Sequence, residues 1–453
     1  MSQYTSEYKQ KLTTAAEAVK VVKDDSMIMY PPFCLKTPLL DEALAFRRDE
    51  LHNVDILYIT LTYMPEVMKS DPQGKTFGFI DASFSAATRA FQRMDIPIAP
   101  MPSLYHEAGR VFLANIRNID VLFLAARPMD EEGYFNMGPQ SSCTVDMIEA
   151  NGGYKKNLKI IVEINDKIPH VHGDNRVHIS QVHSIVENPR GQKLFTIPET
   201  EATDIDKKIA RIIIDEMVDG ACIQLGIGGM PNYVGKMLAE SDFKDLGCHS
   251  EMFVDAYMLL HKSGRLTNKK KQIDTGKSVF TFALGSEALY EYLDNNPEMS
   301  CRTVSYTNSP HIIAQNDRVY SICSCIAVDI FGNVSSESVG YRQISGTGGQ
   351  LDYHFASLHS EGGKGFVCMP SAKFDMMGNI KSNVMFKFEE GTQITVPANM
   401  TNYVVTEYGA VNLKCESLWD RIEKLVSIAH PAVRDDLLNQ AKKAGLFKRS
   451  NRI

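Results

Sequence analysis

The chain has little of what marks a membrane protein or a nucleic-acid-binding protein. In its 453 residues no apolar stretch reaches the roughly 20 residues that a membrane-spanning helix needs. The chain also lacks an excess of positive charge, because its 48 Lys and Arg are outnumbered by 55 Asp and Glu, which gives a formal net charge of −7. This balance argues against a broad electropositive surface for nucleic acid. For the one compact basic run, Lys269 to Lys271, we expect a solvated turn, with a contact to ligand phosphates as the alternative.

The nine cysteines lack the dense, regular spacing of a small disulfide-linked secreted protein. We therefore expect reduced thiols. Cys323 and Cys325 form a C-x-C in an apolar run, but no second pair of ligands follows at zinc-site spacing, so both are expected to be buried strand residues. Residues 1–7 show neither a signal-peptide nor a transit-peptide pattern, and a cytoplasmic location is expected.

Two common catalytic motifs are missing as well. The 12 histidines form no H-E-x-x-H and no regular ligand spacing, so a catalytic metal is not expected. No G-x-S-x-G nucleophile elbow of a serine hydrolase occurs either. If the chain is an enzyme that handles acyl groups, its nucleophile must be of another kind.

What is present is the composition of a large globular α/β protein. Hydrophobic residues make up 44% and charged residues 23%, and a chain of this length exceeds the size of one ordinary hydrophobic core, so we expect two domains. Short apolar runs alternate with helical patterns, which predicts α/β layers around a mostly parallel sheet. Strands are predicted at 54–61, 121–126, 160–164, 221–225, 278–283, 320–330, 365–369 and 403–406, and helix at 416–448 with an interruption at Pro431.

The predicted domain boundary lies where the composition turns polar, at 188–199. It divides the chain into an N-terminal α/β domain, 1–199, and a C-terminal α/β domain, 200–453. Thr203 opens the second domain, since it has a capping-box-like spacing to Asp206 before an amphipathic helix. One short pattern is shared: a strand followed by D-x-x-G occurs at Asp130 to Gly133 and at Asp329 to Gly332. It indicates either two similarly built halves or two ordinary strand exits.

The first candidate functional segment is the glycine loop Gly226-Ile227-Gly228-Gly229-Met230-Pro231, which follows a predicted strand and precedes a helix. Glycine lets the main chain approach a ligand, and the helix N-terminus after it favours an anion. The spacing is not the G-x-G-x-x-G of a dinucleotide site, and an ordinary structural turn is an equal alternative.

The second candidate is Glu251, 25 positions (251 − 226) after Gly226. As an isolated residue it reads as a surface or salt-bridged acid. Its apolar neighbours from Met252 to Tyr257 instead predict a partly desolvated carboxylate at the edge of a buried strand, which is a stronger nucleophile than one in water. Asp255 is the rival carboxylate.

The third candidate is a second glycine-dense turn with Gly346, Gly348 and Gly349, followed by Ser360 to Lys364. A glycine-rich hairpin is the simplest structural interpretation. The functional interpretation is a turn whose backbone N–H groups meet the oxyanion that develops on a thioester carbonyl during acyl transfer.

Together these segments resemble the family I coenzyme A transferases, in the acetyl-CoA hydrolase/transferase branch that includes butyryl-CoA:acetate and 4-hydroxybutyrate CoA-transferases. The likeness runs over nearly the whole chain, through Gly226 to Asn232, His249 to Tyr257, Tyr290 to Pro297, Tyr306 to Asn308, Ser345 to Asp352, Glu407 to Gly409 and Ile428 to Pro431.

The resemblance implies two tandem CoA-transferase-like α/β domains with the active site between them. It implies that Glu251 in the second domain is the catalytic nucleophile, because the first acid of the family's E-M-[FY]-V-D-A motif has that role. The implied reaction is ping-pong through a glutamyl-CoA thioester, with acyl-CoA and short carboxylates as substrates and no tightly bound cofactor. A homo-oligomer is also expected. The implied oxyanion and CoA contacts are Gly226, Ile227, Gly228, Gly229, Met230, Ile326, Gly346, Gly348, Gly349 and Lys364.

Two departures from the family pattern leave the acyl preference open. Tyr30 to Pro38 replaces a glycine-containing turn of the first domain, and Tyr353 to His359 replaces a small-residue turn after the second glycine cluster. A short aliphatic acyl group of the butyryl type is the first choice. The alternatives are an acyl-CoA hydrolase on the same fold and, from another class, a non-catalytic protein that binds CoA or a sugar phosphate.

Overall fold

The computed structural model describes residues 4–109, 111, 119–151, 157–198, 200–226 and 228–446. The contacts of the chain divide it into two compact units. The first comprises Met1–Pro198 and Val279–Asn308, and the second comprises Glu199–Ser278 and Ser309–Ile453. The first unit thus also holds a segment from the second half of the chain. The division into domains at 199/200 that the sequence predicts stays a prediction.

The described β-strands are β1 Met27–Met29, β2 Val54–Tyr58, β3 Phe77–Asp81, β4 Ile98–Pro100, β5 Val121–Ala126, β6 Tyr134–Asn136, β7 Lys159–Ile164, β8 Arg176–His178, β9 Ser184–Glu187, β10 Cys222–Leu225, β11 Gly247–Phe253, β12 Ser278–Ala283, β13 Met299–Cys301, β14 Val319–Ser324, β15 Ala327–Asp329, β16 Val334–Ser335, β17 Ser338–Val339, β18 Arg342–Gln343, β19 Lys364–Cys368, β20 Ala372–Phe374, β21 Ile380–Ser382, β22 Val384–Met385, β23 Tyr403–Thr406 and β24 Gly409–Asn412.

The described α-helices are α1 Thr5–Lys11, α2 Ala15–Ala18, α3 Pro38–Ala45, α4 Glu66–Ser70, α5 Ala86–Gln92, α6 Thr144–Asn151, α7 Asp204–Asp215, α8 Gly229–Glu240, α9 Asp255–Lys262, α10 Glu287–Leu293, α11 Val304–Thr307, α12 Pro310–Ile313, α13 Gln350–His359, α14 Leu418–Ile428 and α15 Arg434–Lys443.

The first unit is built on a sheet with the strand order β4-β3-β2-β1-β5-β7-β9. All of its neighbouring strands run parallel. Every residue of β5 is buried, as expected for a parallel strand that is covered on both faces. Tyr30, Phe77 and Phe123 lie in the hydrophobic core on this sheet. The segment 279–308 joins this unit through main-chain bonds, for example from Cys301 N–H to the His172 carbonyl at 2.8 Å.

In the second unit, β11-β10-β14-β19-β23 follow one another in parallel, and β24 joins β23 antiparallel. The first strand of each unit, β1 or β10, lies between the second strand and a later one, so the direction of strand order reverses there. This common order supports the prediction of two similarly built halves. In open α/β sheets such a reversal point, at the carboxyl ends of the strands, is where ligands bind.

The shared D-x-x-G pattern forms the same turn in both units. The carboxylate of Asp130 accepts the N–H groups of Glu132 and Tyr134, and its carbonyl accepts the N–H of Gly133, which has φ +87°. Asp329 accepts the N–H groups of Phe331 and Asn333 in the same way. Asp375 repeats this arrangement with Met377 and Asn379 in the hairpin of β20 and β21, a third copy that was not predicted from the sequence.

The structure confirms several predicted elements. The strands β5, β12 and β23 have the predicted bounds. Thr203 and Asp206 form the capping box of α7, and the predicted C-terminal helix is α14 and α15 with Pro431 in a 3-10 turn between them. The prediction of one strand over 320–330 was wrong, since the chain leaves the main sheet after Ser324 and β15 pairs with β16 and β22.

The structure also tests the expectations for the basic run Lys269 to Lys271 and for the cysteines. Lys269 and Lys270 are exposed, but Lys271 is buried and donates to the carbonyls of Cys248 and Lys277, so the solvated turn was wrong for this lysine. All nine cysteines are free thiols, and Cys325 lies just beyond β14 rather than in a strand. Within the described part of the chain, no helix is long and apolar enough to cross a bilayer.

Candidate active site

Glu251 lies within β11, two residues before its end, and is the one residue of this strand that is not buried. The prediction placed it at the edge of a buried strand or in the turn leading into it. The strand holds the backbone in place by pairing with β10 at Cys222–Gly247 and Ile223–Cys248. A half-exposed carboxylate near the carboxyl end of a central parallel strand can be reached by a ligand while its backbone remains fixed.

Polar side chains of the next two strands of the sheet, β10 and then β14, lie on the same face as Glu251. Paired residues of parallel strands point to one face, and the alternation of side chains then places Gln224, Glu251 and Cys323 together on it. The Gln224 side-chain oxygen accepts Ser321 Oγ–H at 3.0 Å and the Cys323 thiol at 3.4 Å. Cys323 is the buried strand residue expected from the sequence. Gln224 and Ser321 were missed as site residues, and their signal was a polar side chain within an otherwise apolar strand.

The electrostatics of this face keep Cys323 from acting as a second nucleophile. Burial, opposed by the hydrogen bonds that the thiol makes with Ser321 and Gln224 and assisted by the negative charge of Glu251, raises the pKa of Cys323 to about 12. Burial also raises the pKa of Tyr353 well above its usual range, and Glu251 adds to that effect. Since only a thiolate is strongly nucleophilic, this raised pKa disfavours Cys323 as a nucleophile at neutral pH.

The first glycine loop follows β10, the strand next to Glu251. The N–H of Gly226 continues the sheet by donating to the Ile322 carbonyl at 3.0 Å. Gly228 precedes the first residue of α8 with φ +119°, a conformation that L-residues rarely adopt, and Gly229 and Met230 form the first turn of this helix. Met230 is buried, so a contact with a ligand would be made by its backbone. Ile227 lies outside the described residues.

The second glycine cluster is a turn between β18 and α13, so the glycine-rich hairpin is not what forms. Gly348 has φ +54°, and a Cβ placed on it would lie 3.9 Å from Glu251 Oε1. Gly349 is the residue immediately before α13, and Gly346 is two positions before Gly348. The structure therefore brings this turn to the nucleophile candidate. The N-terminus of α13 begins there and favours negative charge.

The other two predicted CoA contacts, Ile326 and Lys364, do not lie in the glycine turns. Ile326 is half-buried just after β14, and its N–H donates to the Ser335 carbonyl. Lys364 is the first residue of β19 and pairs with Tyr320 near the start of β14, so it lies at the amino edge of the sheet. Its Nζ is 2.7 Å from Glu216 Oε2. The structure does not bring Lys364 to the glycine turns.

A different lysine lies at the carboxyl edge. Lys373 is an exposed residue of β20, which follows β19, and it is close enough to Cys325 for its positive charge to act on that thiol. Asp255, the rival carboxylate, is the first residue of α9 rather than part of β11.

The two departures from the family pattern also have definite structures. Tyr353 to His359 belongs to α13, where His354 is buried and its Nε2 accepts the N–H of Asn402 at 3.0 Å. A helix packed on the sheet explains these bulky residues without a lid. In the first unit, the ring of Phe33 stacks on Phe282 with the ring centroids 3.5 Å apart.

Comparison with known proteins defines the class. The model of the acetyl-CoA hydrolase/transferase N-terminal domain matches residues 1–194, and that of the corresponding C-terminal domain matches residues 285–441. The chain belongs to the acetyl-CoA hydrolase/transferase family, which confirms the resemblance found in the sequence.

Individual relatives narrow this class. The chain is 40% identical to butyryl-CoA:acetate CoA-transferase of Anaerostipes caccae, over 99% of this chain and 100% of that protein. It is 33% identical to 4-hydroxybutyrate coenzyme A transferase of Clostridium kluyveri, over 96% and 98% of the two chains. The crystal structure of RipA from Yersinia pestis superposes with a TM-score of 0.88 at 34% identity, covering 97% of this chain and 99% of that one. The α/β fold expected from the sequence is thereby confirmed.

Proposed function

We propose that the chain transfers CoA from a short-chain acyl-CoA to a free carboxylate, with Glu251 as the nucleophile. The observation that carries this proposal is the pairing of one half-exposed carboxylate with the glycine turn at Gly348, where Oε1 and a Cβ position are 3.9 Å apart. The likeness to CoA-transferases over the full length of the chain supports the same reaction.

In the first half-reaction, a carboxylate oxygen of Glu251 attacks the thioester carbonyl of the acyl-CoA. The C–S bond breaks, the CoA thiolate leaves, and an acyl–glutamyl anhydride remains. The thiolate then attacks the glutamyl carbonyl of the anhydride. This releases the first carboxylate and leaves CoA bound to Glu251 as a thioester.

In the second half-reaction, the acceptor carboxylate attacks the glutamyl thioester and forms a new anhydride with release of the CoA thiolate. The thiolate attacks the acyl carbonyl of that anhydride, giving the new acyl-CoA and the original Glu251 carboxylate. No proton is consumed and no bond is hydrolysed, so the thioester energy is kept.

Each attack produces an oxyanion that the enzyme must stabilise. We assign this role to backbone N–H groups of the turn with Gly346, Gly348 and Gly349, at the N-terminus of α13. A turn without side chains admits a carbonyl next to the nucleophile, and removing one oxyanion donor typically costs about 100- to 1000-fold in rate.

For CoA itself we propose the loop with Gly226, Gly228, Gly229 and Met230, at the N-terminus of α8, with Ile326 on the neighbouring connection. Ile227 completes this loop in the sequence. The lysine contact expected at Lys364 is better made by Lys373, because Lys373 follows the carboxyl end of β19 and its charge acts on Cys325, whereas Lys364 is paired with Glu216.

Butyryl-CoA and acetate are the proposed substrate pair, supported by the relative that is 40% identical. We also infer a cytoplasmic homo-oligomer without a tightly bound cofactor. The nine free thiols favour a reducing compartment, and large soluble enzymes commonly form symmetric assemblies.

An acyl-CoA hydrolase is the second candidate, since the matching family includes hydrolases and water reaching the glutamyl thioester would release free CoA. The test is to incubate the protein with butyryl-CoA, with and without acetate, and to separate the CoA species by chromatography. Acetyl-CoA formed only with acetate is the expected result. Free CoA formed at the same rate in both reactions would establish the hydrolase instead, and CoA binding without any turnover would favour the non-catalytic binding protein.

A further inference from the structure

We propose that Glu337 and Thr347 are positioning residues that hold the glycine turn in front of Glu251. The inference rests on the proposed transferase function and adds two residues that act on the reaction through the turn. Glu337 lies outside the glycine motifs of the sequence, and Thr347 is the non-glycine residue between Gly346 and Gly348.

Three hydrogen bonds connect Glu337 to the turn. Its backbone carbonyl accepts the N–H of Ile344 at 2.7 Å and the N–H of Ser345 at 3.0 Å. Its side-chain Oε2 accepts the hydroxyl of Thr347 at 3.0 Å. One residue therefore fixes both the beginning of the turn and the position immediately before Gly348.

Glu337 is itself held by a rigid surrounding. It lies between β16 and β17 and is only 4% exposed. β17 pairs with β18 at Ser338–Gln343 and Val339–Arg342, which brings the residue after β18 back to Glu337. On the other side, the Ser335 carbonyl accepts the N–H of Ile326. The same short segment thus contacts the glycine turn and the connection that carries Ile326.

Of the three hydrogen bonds between Glu337 and the turn, the bond with Thr347 is the one between two side chains. Without it the main-chain bonds from Ile344 and Ser345 to Glu337 remain. The part of the turn nearest Glu251 then no longer has its side-chain hydrogen bond to Glu337. A displacement of about 1 Å at a reacting centre can cost about 100-fold in rate. We therefore expect the loss to appear in kcat rather than in folding or in CoA affinity.

The test compares variants of Thr347 in the full-length protein by steady-state transfer from butyryl-CoA to acetate. Thr347→Val keeps the shape of the side chain without its hydroxyl and is expected to lower kcat by about 10- to 100-fold, with the KM for butyryl-CoA within about threefold. Thr347→Ser restores the hydroxyl and should recover most of the rate. Thr392→Val is the matched control, because the Thr392 hydroxyl accepts the N–H of Gly340 at the far end of the same hairpin. We expect it to transfer CoA at the wild-type rate.

A second variant keeps the proposal testable if Thr347→Val folds poorly. Glu337→Asp retains both main-chain bonds but withdraws the carboxylate by one methylene, about 1.5 Å, which is too far for the 3.0 Å hydrogen bond to survive. It should lower kcat like Thr347→Val, and the double variant should be no slower than either single one, because both remove the same bond.

Wild-type kcat in Thr347→Val, or in Glu337→Asp, would overturn the positioning role. So would a KM that rises as much as kcat falls, or a Thr347→Ser variant as slow as Thr347→Val. These outcomes leave the transferase proposal intact, since the wild-type protein still forms acetyl-CoA. If the wild-type protein forms none, the proposed function itself fails.

Discussion

Replacing Gly348 by alanine tests the arrangement of the glycine turn and the nucleophile. The added Cβ would lie 3.9 Å from Glu251 Oε1, which is ordinary van der Waals contact, so the unliganded site can hold the methyl group. It cannot hold the methyl group together with a thioester carbonyl, because the reacting carbon must approach the carboxylate to about 3 to 3.5 Å.

The same substitution has a backbone cost that can be separated from this effect. Gly348 has φ +54°, where a residue with a Cβ is less stable by about 1 to 2 kcal/mol. For units of about 200 residues this corresponds to a fall in Tm of about 2 to 8 °C. We expect a loss of kcat of at least about 100-fold, the typical effect of disturbing one oxyanion donor, far more than so small a change in stability produces.

The control for this prediction is Gly264→Ala. Gly264 belongs to the same unit, has φ +74°, and has nothing within 4 Å of an added Cβ. Both variants should lose a similar amount of stability in thermal unfolding, but only Gly348→Ala should lose transfer from butyryl-CoA to acetate. A Gly348→Ala protein with wild-type kcat, or a Gly264→Ala protein as slow as Gly348→Ala, would refute the reasoning.

Three further outcomes are expected. Lys373→Ala should raise the KM for butyryl-CoA several-fold in steady-state kinetics while Lys364→Ala does not, and the reverse result would return the contact to Lys364. Glu251→Asp withdraws the nucleophile by about 1.5 Å and should lower kcat by at least about 100-fold, so a near-normal rate would point to another nucleophile. Burial raises the pKa of Glu163 from its ordinary value of 4.5 to about 7. Its stabilising contribution is therefore full below about pH 4.5, falls by about 3 kcal/mol between about pH 4.5 and 7, and is lost above about pH 7. In Glu163→Gln the decrease in Tm between pH 5.5 and 8.0 should be smaller, and an unchanged decrease would contradict this assignment.

The sequence predicts a strand most accurately when burial alone explains its run of apolar residues. β5 is a fully buried parallel strand, and a continuous apolar run bounded by Asp120 and Arg127 defines its ends. The run 320–330 is also largely apolar, but Ile326 forms its main-chain bond with Ser335 of another sheet. Apolar character shows that a segment is buried and leaves open which partner it pairs with.

The sequence likewise predicted some residues of the candidate site and missed others. Glu251 and the two glycine clusters were found because each has an unusual local composition. Glu337 contacts Thr347 across ten positions of chain through a hairpin, and nothing in the sequence around Glu337 marks it. Lys364 was assigned by resemblance alone, and its distance from the glycine turns follows from the register of β19 on β14, which no local pattern records.

The central claim is that Glu251 carries CoA as a covalent intermediate. The direct measurement is mass spectrometry of the protein after incubation with butyryl-CoA in the absence of acetate, followed by proteolysis and sequencing of the modified peptide. The account predicts a CoA adduct on Glu251 that disappears when acetate is added, and no adduct in Glu251→Ala, which should also be inactive while still folded. An adduct on another residue, or transfer by the Glu251→Ala variant, would contradict it.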